Sequence, residues 1–163
     1  MKKLWIYFLL AAMILSFVAC KKDDTKPEEA EKVYTFTSGT TKIAMNADVA
    51  PILAALGEWR DYDESTSCAF EGLDKIYVYP GFEIYTYPMN GKDFVSSVRL
   101  YDDTVATEEG IRVGVTKDAV IATYGTPTQT FDTNLTYEVK GMYLQFSLED
   151  GVVTSIEYVN RYE

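Results

Sequence analysis

The side chains that could carry chemistry in this chain are two cysteines and a large set of carboxylates, because the sequence contains no histidine. Without an imidazole there is no histidine base, no histidine-based metal site and no Cys–His pair to activate a thiol. The sequence also lacks a phosphate-cradling P-loop and a G-x-S-x-G nucleophile elbow. We therefore predict no catalytic residues, no metal site and no cofactor.

The densest carboxylate runs are Asp61-Tyr62-Asp63-Glu64 and Asp102-Asp103. Their oxygens could bind Ca²⁺, but neither run has the D-x-D-x-D-G spacing of an EF-hand loop. In so acidic a chain we interpret both runs as solvated loops. A carboxylate pair for glycoside hydrolysis stays open as an alternative, because the fold sets the geometry of such a pair.

The first 20 residues have the organisation of an export signal. Lys2 and Lys3 give the positive start, and residues 4–19 are uncharged and mostly apolar. A membrane-spanning helix needs about 20 apolar residues, so this run is short for an anchor. The small residue Ala19 directly before Cys20 favours a signal peptide over residues 1–20.

The stretch Phe17-Val18-Ala19-Cys20 resembles a lipobox, the cleavage and lipidation signal of bacterial lipoproteins. The resemblance implies that Cys20 carries two acyl chains, which anchor the exported protein to the outer face of the cell membrane at about 0.8 kcal/mol per buried methylene. Cys68 is then a lone thiol, which cannot build a zinc or iron–sulfur site. We predict that Cys68 is buried as a small hydrophobe, with a nucleophile or an intermolecular disulfide as alternatives.

The segment 21–33 is predicted to be a charged tether. Nine of the twelve residues from 21 to 32 are charged, so the segment has little apolar surface to bury. Without the signal peptide the chain has 13 basic and 25 acidic residues, a net charge of −12. Such a charge repels phosphate backbones, which argues against nucleic acid as a partner. It also repels anionic headgroups, so the acyl chains must provide the membrane attachment.

An internal repeat is visible after the tether. Segments 48–57 and 116–125 each combine an N-cap residue, apolar residues at helical spacing and a closing glycine. Strand-like runs and glycine turns follow in matching order, the turns at an offset of 60 and the helix-closing glycines at an offset of 68. The first repeat therefore has eight extra residues, around positions 60–72. The matched turns are Gly81 with Gly141 and Asn90-Gly91 with Asp150-Gly151, and Asn-Gly and Asp-Gly are strong hairpin signals.

This helix-then-meander unit, repeated after a lipobox, resembles the β-lactamase-inhibitor-protein-like (BLIP-like) fold. The chain is similar to uncharacterised lipoproteins of anaerobic Gram-positive bacteria in its Thr-Ser-Cys-Ala-Phe-Glu-Gly segment at 66–72 and its Glu-Gly-Ile segment at 109–111. The resemblance spans roughly residues 34–162. It implies an α+β fold in which two helix-plus-antiparallel-sheet repeats, 34–105 and 106–163, share one sheet. It also implies binding of other proteins and no catalytic residues.

Alternation of apolar and polar residues assigns the two faces of the sheet. The outward set of the first repeat is far more aromatic than that of the second, and an exposed aromatic patch usually marks an interface. Alternatively, the tyrosines only pack across strands, or residues 34–44 cover the face. The predicted inward residues are Tyr77, Tyr79, Phe82, Ile84, Val98, Leu100, Leu135, Tyr137, Val139, Met142, Leu144, Phe146 and Ile156. The predicted partner-binding patch is Ile76, Val78, Tyr85, Tyr87, Arg99 and Tyr101.

These features predict a membrane-anchored envelope lipoprotein that binds an envelope protein or peptide without catalysis. One alternative is a carboxylate-based hydrolase of cell wall or glycan, which a deep pocket with two facing carboxylates would favour. The other is a structural envelope lipoprotein without a discrete ligand, which a patch covered by residues 34–44 would favour.

Overall fold

A computed structural model describes residues 33–161, so the predicted signal peptide, Cys20 and nearly all of the tether lie outside the described residues. The described chain is predominantly β, with ten strands and two helices of eight residues each. The α+β expectation is therefore met only in part, because each helix makes little more than two turns. The elements are β1 (Phe36–Ser38), β2 (Thr41–Ile43), α1 (Val49–Leu56), β3 (Asp61–Thr66), β4 (Leu73–Tyr79), β5 (Phe82–Met89), β6 (Lys92–Leu100), α2 (Lys117–Tyr124), β7 (Gln129–Phe131), β8 (Asn134–Val139), β9 (Met142–Glu149) and β10 (Val152–Asn160).

Eight of the strands form one antiparallel sheet in the order β3-β4-β5-β6-β10-β9-β8-β7. The order is symmetric about the β6–β10 pair, and on each side of this pair four strands follow one another as a meander. β1 and β2 form a separate hairpin. The edge strands β3 and β7 are exposed throughout. The acidic run at 61–64, interpreted from the sequence as a loop, is thus part of an edge strand that buries none of its residues.

Both helices begin directly after the predicted N-cap residue and end directly before the predicted closing glycine. Asp48 and Thr116 each accept a hydrogen bond from a backbone N–H of the first turn. Gly57 and Gly125 end the helices with φ of 81° and 80° and ψ near −156° and −155°. This conformation lies outside the left-handed helical region and is essentially open to glycine alone.

The hydrophobic core lies between the helices, the β1–β2 hairpin and one face of the sheet, the inner face. The alternation of apolar residues predicted this face correctly. Every predicted inward residue is buried except Val139, which is partly buried against the core. The two helices add Val49, Ile52 and Val120 to the same cluster.

The β1–β2 hairpin packs on the inner face. Phe36 and Ile43 have no exposed surface. The ring of Phe36 lies 4.9 Å from that of Phe82 and 6.1 Å from that of Tyr158, both on the inner face. Residues 34–44 therefore cover the inner face, and the alternative in which they cover the predicted patch is wrong.

The two halves of the sheet share the same local hydrogen bonds and β-bulges. In each half a tyrosine hydroxyl of the inner face donates to the carbonyl of the helix-closing glycine. In each half the segment before the helix bonds to the sheet as a short extra strand, next to a β-bulge. The bonded pairs are Tyr79 with Gly57 at 3.2 Å, Tyr137 with Gly125 at 3.0 Å, Val95 with Ala47 at 2.9 Å and Val153 with Val115 at 2.9 Å.

Candidate functional site

The face of the sheet opposite the helices, the outer face, carries side chains in rows that cross neighbouring strands. One row is mostly charged, and the next has an apolar and aromatic centre. Neighbouring side chains within a row are close enough to interact. The rows are Asp61, Val78, Glu83, Arg99 and Glu157, then Asp63, Ile76, Tyr85, Ser97 and Val159.

Four of the six predicted patch residues lie together on this face. Ile76 pairs with Tyr85 across β4 and β5, and Glu83 lies between Val78 and Arg99 in the neighbouring row. Ile76, Val78 and Tyr85 are half-buried, and Arg99 is exposed. The hydroxyl of Tyr85 donates to Glu83 at 2.7 Å, and burial together with this carboxylate raises the pKa of Tyr85. The role of these residues in binding stays a prediction.

The other two predicted patch residues, Tyr87 and Tyr101, use their hydroxyl groups in hydrogen bonds within the protein. Tyr87 is 6% exposed, because its ring packs 4.8 Å from that of Phe70 and its hydroxyl donates to Asn46 at 3.0 Å. Tyr101 is half-buried, and its hydroxyl donates to the carbonyl of Tyr79 at 2.7 Å. Strand alternation gives the direction of a side chain but not what covers it, so the prediction of exposure was wrong for Tyr87. Tyr101 is half-buried like Ile76 and Tyr85, and its role in binding stays a prediction.

Phe70 belongs to the loop 67–72, which joins β3 to β4 and folds onto the outer face. The hydroxyl of Ser67 accepts a hydrogen bond from the N–H of Phe70 at 3.2 Å, and the N–H of Ser67 donates to the carbonyl of Gly72 at 3.0 Å. Gly72 has a φ of 129°, and a Cβ there would lie 2.9 Å from Pro88. Glycine therefore lets the loop approach β5 closely.

The loop and strands β3 to β5 border a pocket of about 370 Å³ on the outer face, which we call the groove. Ile76 and Tyr85 line it together with Phe70. Two carboxylates of the same face, Asp63 and Asp74, also line it. The Oδ1 atom of Asp74 is buried, and no hydrogen-bond donor among the described residues reaches it. The groove thus combines aromatic surface with negative charge.

A second, wider hollow of about 530 Å³ adjoins the groove and shares Phe70 and Tyr87 with it. Arg161, which lines this hollow, forms an ion pair with Glu138 and lies 5.8 Å from the ring centre of Tyr143. The residues that line the hollow run from the first half of the sheet to the end of β10.

Three contributors to the groove, Phe70, Asp63 and Asp74, were not predicted as site residues. The sequence signal that could have found them is the eight-residue surplus around positions 60–72. In the structure this surplus makes β3 six residues long, against three in β7 at the opposite edge, and it lengthens the loop that follows. The groove forms where the two halves of the sheet differ.

Cys68 lies in the same loop and is exposed, so the prediction of a buried thiol was wrong. The apolar side chain of this loop that turns toward the sheet is Phe70, which occupies the space beside Tyr87. The residue types of this loop could not show which side chain turns toward the sheet, because hydrogen bonds to Ser67 set the direction of the loop.

Two N–H groups on the free edge of β3 are hydrogen-bonded to side chains of the same strand, so we call this edge closed. Asp61 accepts a hydrogen bond from the N–H of Tyr62 at 2.9 Å, and Asp63 accepts one from the N–H of Glu64 at 2.9 Å. Charged side chains along an edge strand disfavour the addition of another strand. A ligand of this region is therefore expected on the face of the sheet and not along its edge.

The acidic runs do not gather into a metal centre. Within residues 33–161 no group of three potential ligands among Cys, Asp and Glu is placed to hold a metal ion. Asp102 instead accepts hydrogen bonds from Thr104, and these bonds lower the pKa of Asp102. In the same part of the chain, no helix is long and apolar enough to cross a membrane.

Comparison with known proteins gives a likeness of fold. No family model and no curated protein matches the chain. The chain is similar to an extracellular protein containing a SCP domain from Bacillus anthracis, with a TM-score of 0.54 and 11% identity over 82% of this chain. It covers about half, 49%, of that protein's chain. It also matches the uncharacterized protein yfeY from Escherichia coli, with a TM-score of 0.45 and 12% identity over 80% of this chain and 97% of that chain. At such identities the first likeness concerns the fold alone.

Proposed function

We propose that this chain is a membrane-anchored envelope lipoprotein that binds a protein or peptide, without catalysis, at the outer face of its sheet. The observation that supports this most is the groove, where Phe70, Ile76 and Tyr85 stay partly accessible beside two carboxylates. Aromatic side chains in a partly enclosed pocket are typical centres of protein interfaces. The helices and the β1–β2 hairpin occupy the inner face, and loop 67–72 folds onto the outer face beside the groove.

The matched devices of the two sheet halves support a tandem BLIP-like repeat as the scaffold of this site. Each half has a capped two-turn helix, a tyrosine bonded to the helix-closing glycine, and a bulged hairpin. The symmetric strand order places the two halves side by side in one sheet. In this proposal repeat 1 carries the groove and repeat 2 extends the surface.

The binding role is tested by site-specific photocrosslinking of the full-length chain in its native envelope. A benzophenone amino acid replaces Val78, in the charged row of the first half, or Gln145, in the same row of the second half. We expect a discrete adduct from position 78 that a Tyr85→Ser substitution weakens, and little adduct from position 145. Equal crosslinking from both positions, or adducts unaffected by Tyr85→Ser, would refute binding at the groove.

The proposed anchor is tested separately by metabolic labelling with an alkyne fatty acid. Cys20→Ser should abolish the label, whereas Cys68→Ser, which removes the other cysteine of the chain, should retain it. Labelling that persists in Cys20→Ser would contradict lipidation at the lipobox.

A second candidate function is hydrolysis of a wall or glycan substrate by two carboxylates. It is favoured by one observation: Asp63 and Asp74 share the outer face and are diagonal neighbours across β3 and β4. The Cα atoms of diagonal neighbours in an antiparallel pair lie about 7–8 Å apart, so two carboxyl groups on such positions can reach the separation of about 6.5–9.5 Å that inverting glycosidases use. Dye release from labelled peptidoglycan by the wild-type chain, lost in Asp63→Asn and in Asp74→Asn, would select this function over pure binding.

A further inference from the structure

Some charged side chains around the groove have a hydrogen-bond or ion-pair partner within the protein, and one carboxylate oxygen has none. Glu64 accepts the hydroxyl of Tyr62, and Lys75 forms an ion pair with Asp93 at 2.7 Å. Asp74, by contrast, has a buried Oδ1 atom that no donor among residues 33–161 reaches. A buried acceptor without a donor is costly, so a ligand that donates a hydrogen bond to this carboxylate gains binding free energy.

A second negative charge of the groove belongs to Asp63, whose side chain is exposed. One of its oxygens accepts a hydrogen bond from the N–H of Glu64, which fixes the carboxylate beside the groove. Asp63 and Asp74 therefore present two carboxylates from adjacent strands on the same face. The chain as a whole has a net charge of −10, which adds a long-range attraction for cations.

Aromatic and apolar side chains form the rest of the lining. Ile76 and Tyr85 lie side by side on adjacent strands, and Phe70 approaches from the loop. The faces of aromatic rings attract cations, and the methylene stems of lysine and arginine pack on apolar surface. The carboxylates suit the charged head of a basic side chain, and the apolar and aromatic surface suits its methylene stem.

We propose that the groove takes an arginine or lysine side chain of a basic peptide segment. The stem packs on Ile76 and Tyr85, and the charged head binds Asp74 and Asp63. This inference rests on the proposed binding function and specifies its partner as basic. The closed edge of β3 places the peptide across the outer face, because an added ninth strand would have to displace the side chains that bind the N–H groups of Tyr62 and Glu64.

The test uses the full-length, isotope-labelled chain in detergent micelles and three small probes. These are N-acetyl-arginine methylamide, N-acetyl-lysine methylamide and the neutral isostere N-acetyl-citrulline methylamide. We expect the two cationic probes to shift the backbone amide resonances of Phe70, Ile76 and Tyr85 in a saturable manner, and citrulline to have little effect. Equal shifts with citrulline, or cation-induced shifts confined to other surfaces, would overturn the proposal.

Charge-removing variants locate the interaction. Asp74→Asn should weaken arginine binding about tenfold, which corresponds to one charge-assisted hydrogen bond. Asp132→Asn, an equal charge change in the exposed turn between β7 and β8, should leave the affinity nearly unchanged. Equal weakening by both variants would reduce the effect to net charge and refute the site. Asp63→Asn repeats the measurement at an exposed position if Asp74→Asn does not fold.

The outcome separates this inference from the proposed function. A chain that crosslinks a partner at position 78 but ignores all three probes binds at the outer face without the basic-side-chain pocket. A chain that binds the cationic probes but yields no adduct in the envelope has the pocket without the proposed protein partner.

Discussion

The side-chain amides of Asn46 and Asn160 bind each other reciprocally, at 2.8 Å in one direction and 2.5 Å in the other, across 114 positions of sequence. Asn160 is the last residue of β10 and is 5% exposed, and Asn46 lies just before α1 with a φ of 61°. Asn46 Oδ1 also accepts the hydroxyl of Tyr87. This small network ties the start of the first helix to the last strand and to the lining of the groove.

Removal of this amide pair should destabilise the protein. Asn160→Ala removes both hydrogen bonds between the two amides and leaves the amide N–H group of Asn46 without its acceptor, so we expect a loss of about 1–3 kcal/mol in the free energy of unfolding. Asn46→Gly keeps a residue that accepts positive φ, but it leaves both the buried amide of Asn160 and the hydroxyl of Tyr87 without their partner, so its loss should be larger. Urea unfolding of both single variants and the double variant gives the coupling, and additive losses would show that the pair contributes nothing jointly.

The closed edge of β3 should protect the protein from self-association. Asp61→Ala with Asp63→Ala frees the N–H groups of Tyr62 and Glu64 and removes two edge charges, so we expect concentration-dependent oligomers. Asp132→Ala with Glu149→Ala removes the same charge from exposed sites away from this edge. Size-exclusion chromatography with light scattering compares the two double variants. Oligomers of both would show that the loss of net charge, and not the opened edge, causes association.

Alkaline pH should unfold the protein through its buried tyrosines. Burial raises the pKa of Tyr137 to about 12 and also raises the pKa of Tyr124 and of Tyr158. A pKa that is higher in the folded state means stability that is fully present below the unfolded value, about 10, and lost as the pH rises through the folded value. The free energy of unfolding should therefore fall above pH 10.

Absorbance at 295 nm and circular dichroism, followed together, check this expectation. Ionisation of the buried phenols and loss of the sheet should coincide in one steep transition. Phenolate formation that is complete before the dichroism changes would contradict the burial of these groups. In Tyr137→Phe the slope of stability between pH 10 and 12 should be shallower than in the wild-type chain.

Loop 67–72 should depend on Gly72. An alanine there needs a strained φ and places its Cβ 2.9 Å from Pro88 Cβ, so Gly72→Ala should lower stability by more than the roughly 1–2 kcal/mol of positive φ alone. Gly91→Ala is the matched control, since that glycine also has positive φ but no atom within 4 Å of the added Cβ. Thermal unfolding compares the two variants, and equal losses would mean that the loop adjusts without cost.

Serine substitutions of Tyr85 and Tyr87 should have different effects, the first mainly on partner binding and the second mainly on stability, although the two residues are only two positions apart on β5. Tyr87→Ser removes a buried ring and its hydrogen bond to Asn46, so we expect a loss of about 3 kcal/mol or more. Tyr85→Ser removes a half-buried ring and should cost about 1 kcal/mol while weakening partner binding. Chemical denaturation and crosslinking from position 78 check both, and a Tyr87→Ser chain of full stability would contradict the packing against Phe70.

The sequence predicted the regular parts of the fold well, for identifiable physical reasons. The caps and closing glycines placed both helices within one residue of their observed ends. The hairpin turns have positive φ at Asn90 and Gly91 and at Asp150 and Gly151, as the type I′ turn of these dipeptides requires. The face assignment held because the predicted inward residues alternate with period two within each strand, and the two β-bulges lie outside the stretches used for the assignment.

The residues that sequence reasoning misplaced depend on loops and bulges. The glycine turns recur at an offset of 60, but the tyrosines bonded to the helix ends, Tyr79 and Tyr137, are offset by 58. A difference of two keeps each side chain on the same face of the sheet, so the face assignment is the same with either offset. The exposure of Cys68 and of Tyr87 was predicted wrongly, because the course of loop 67–72 decides how exposed both side chains are.

The symmetric strand order also determines how far the chain must search when it folds. Within the eight-stranded sheet, six of the seven strand pairs join sequence neighbours, and only the pairing of β6 with β10 joins residues about sixty positions apart. We expect closure of that single long loop to be the main entropic cost of folding, and this cost grows only slowly with the length of chain between the strands. Insertions in the turns of either meander should therefore leave the folding rate nearly unchanged, whereas a substitution at the β6–β10 seam, such as Val98→Ala, should slow folding.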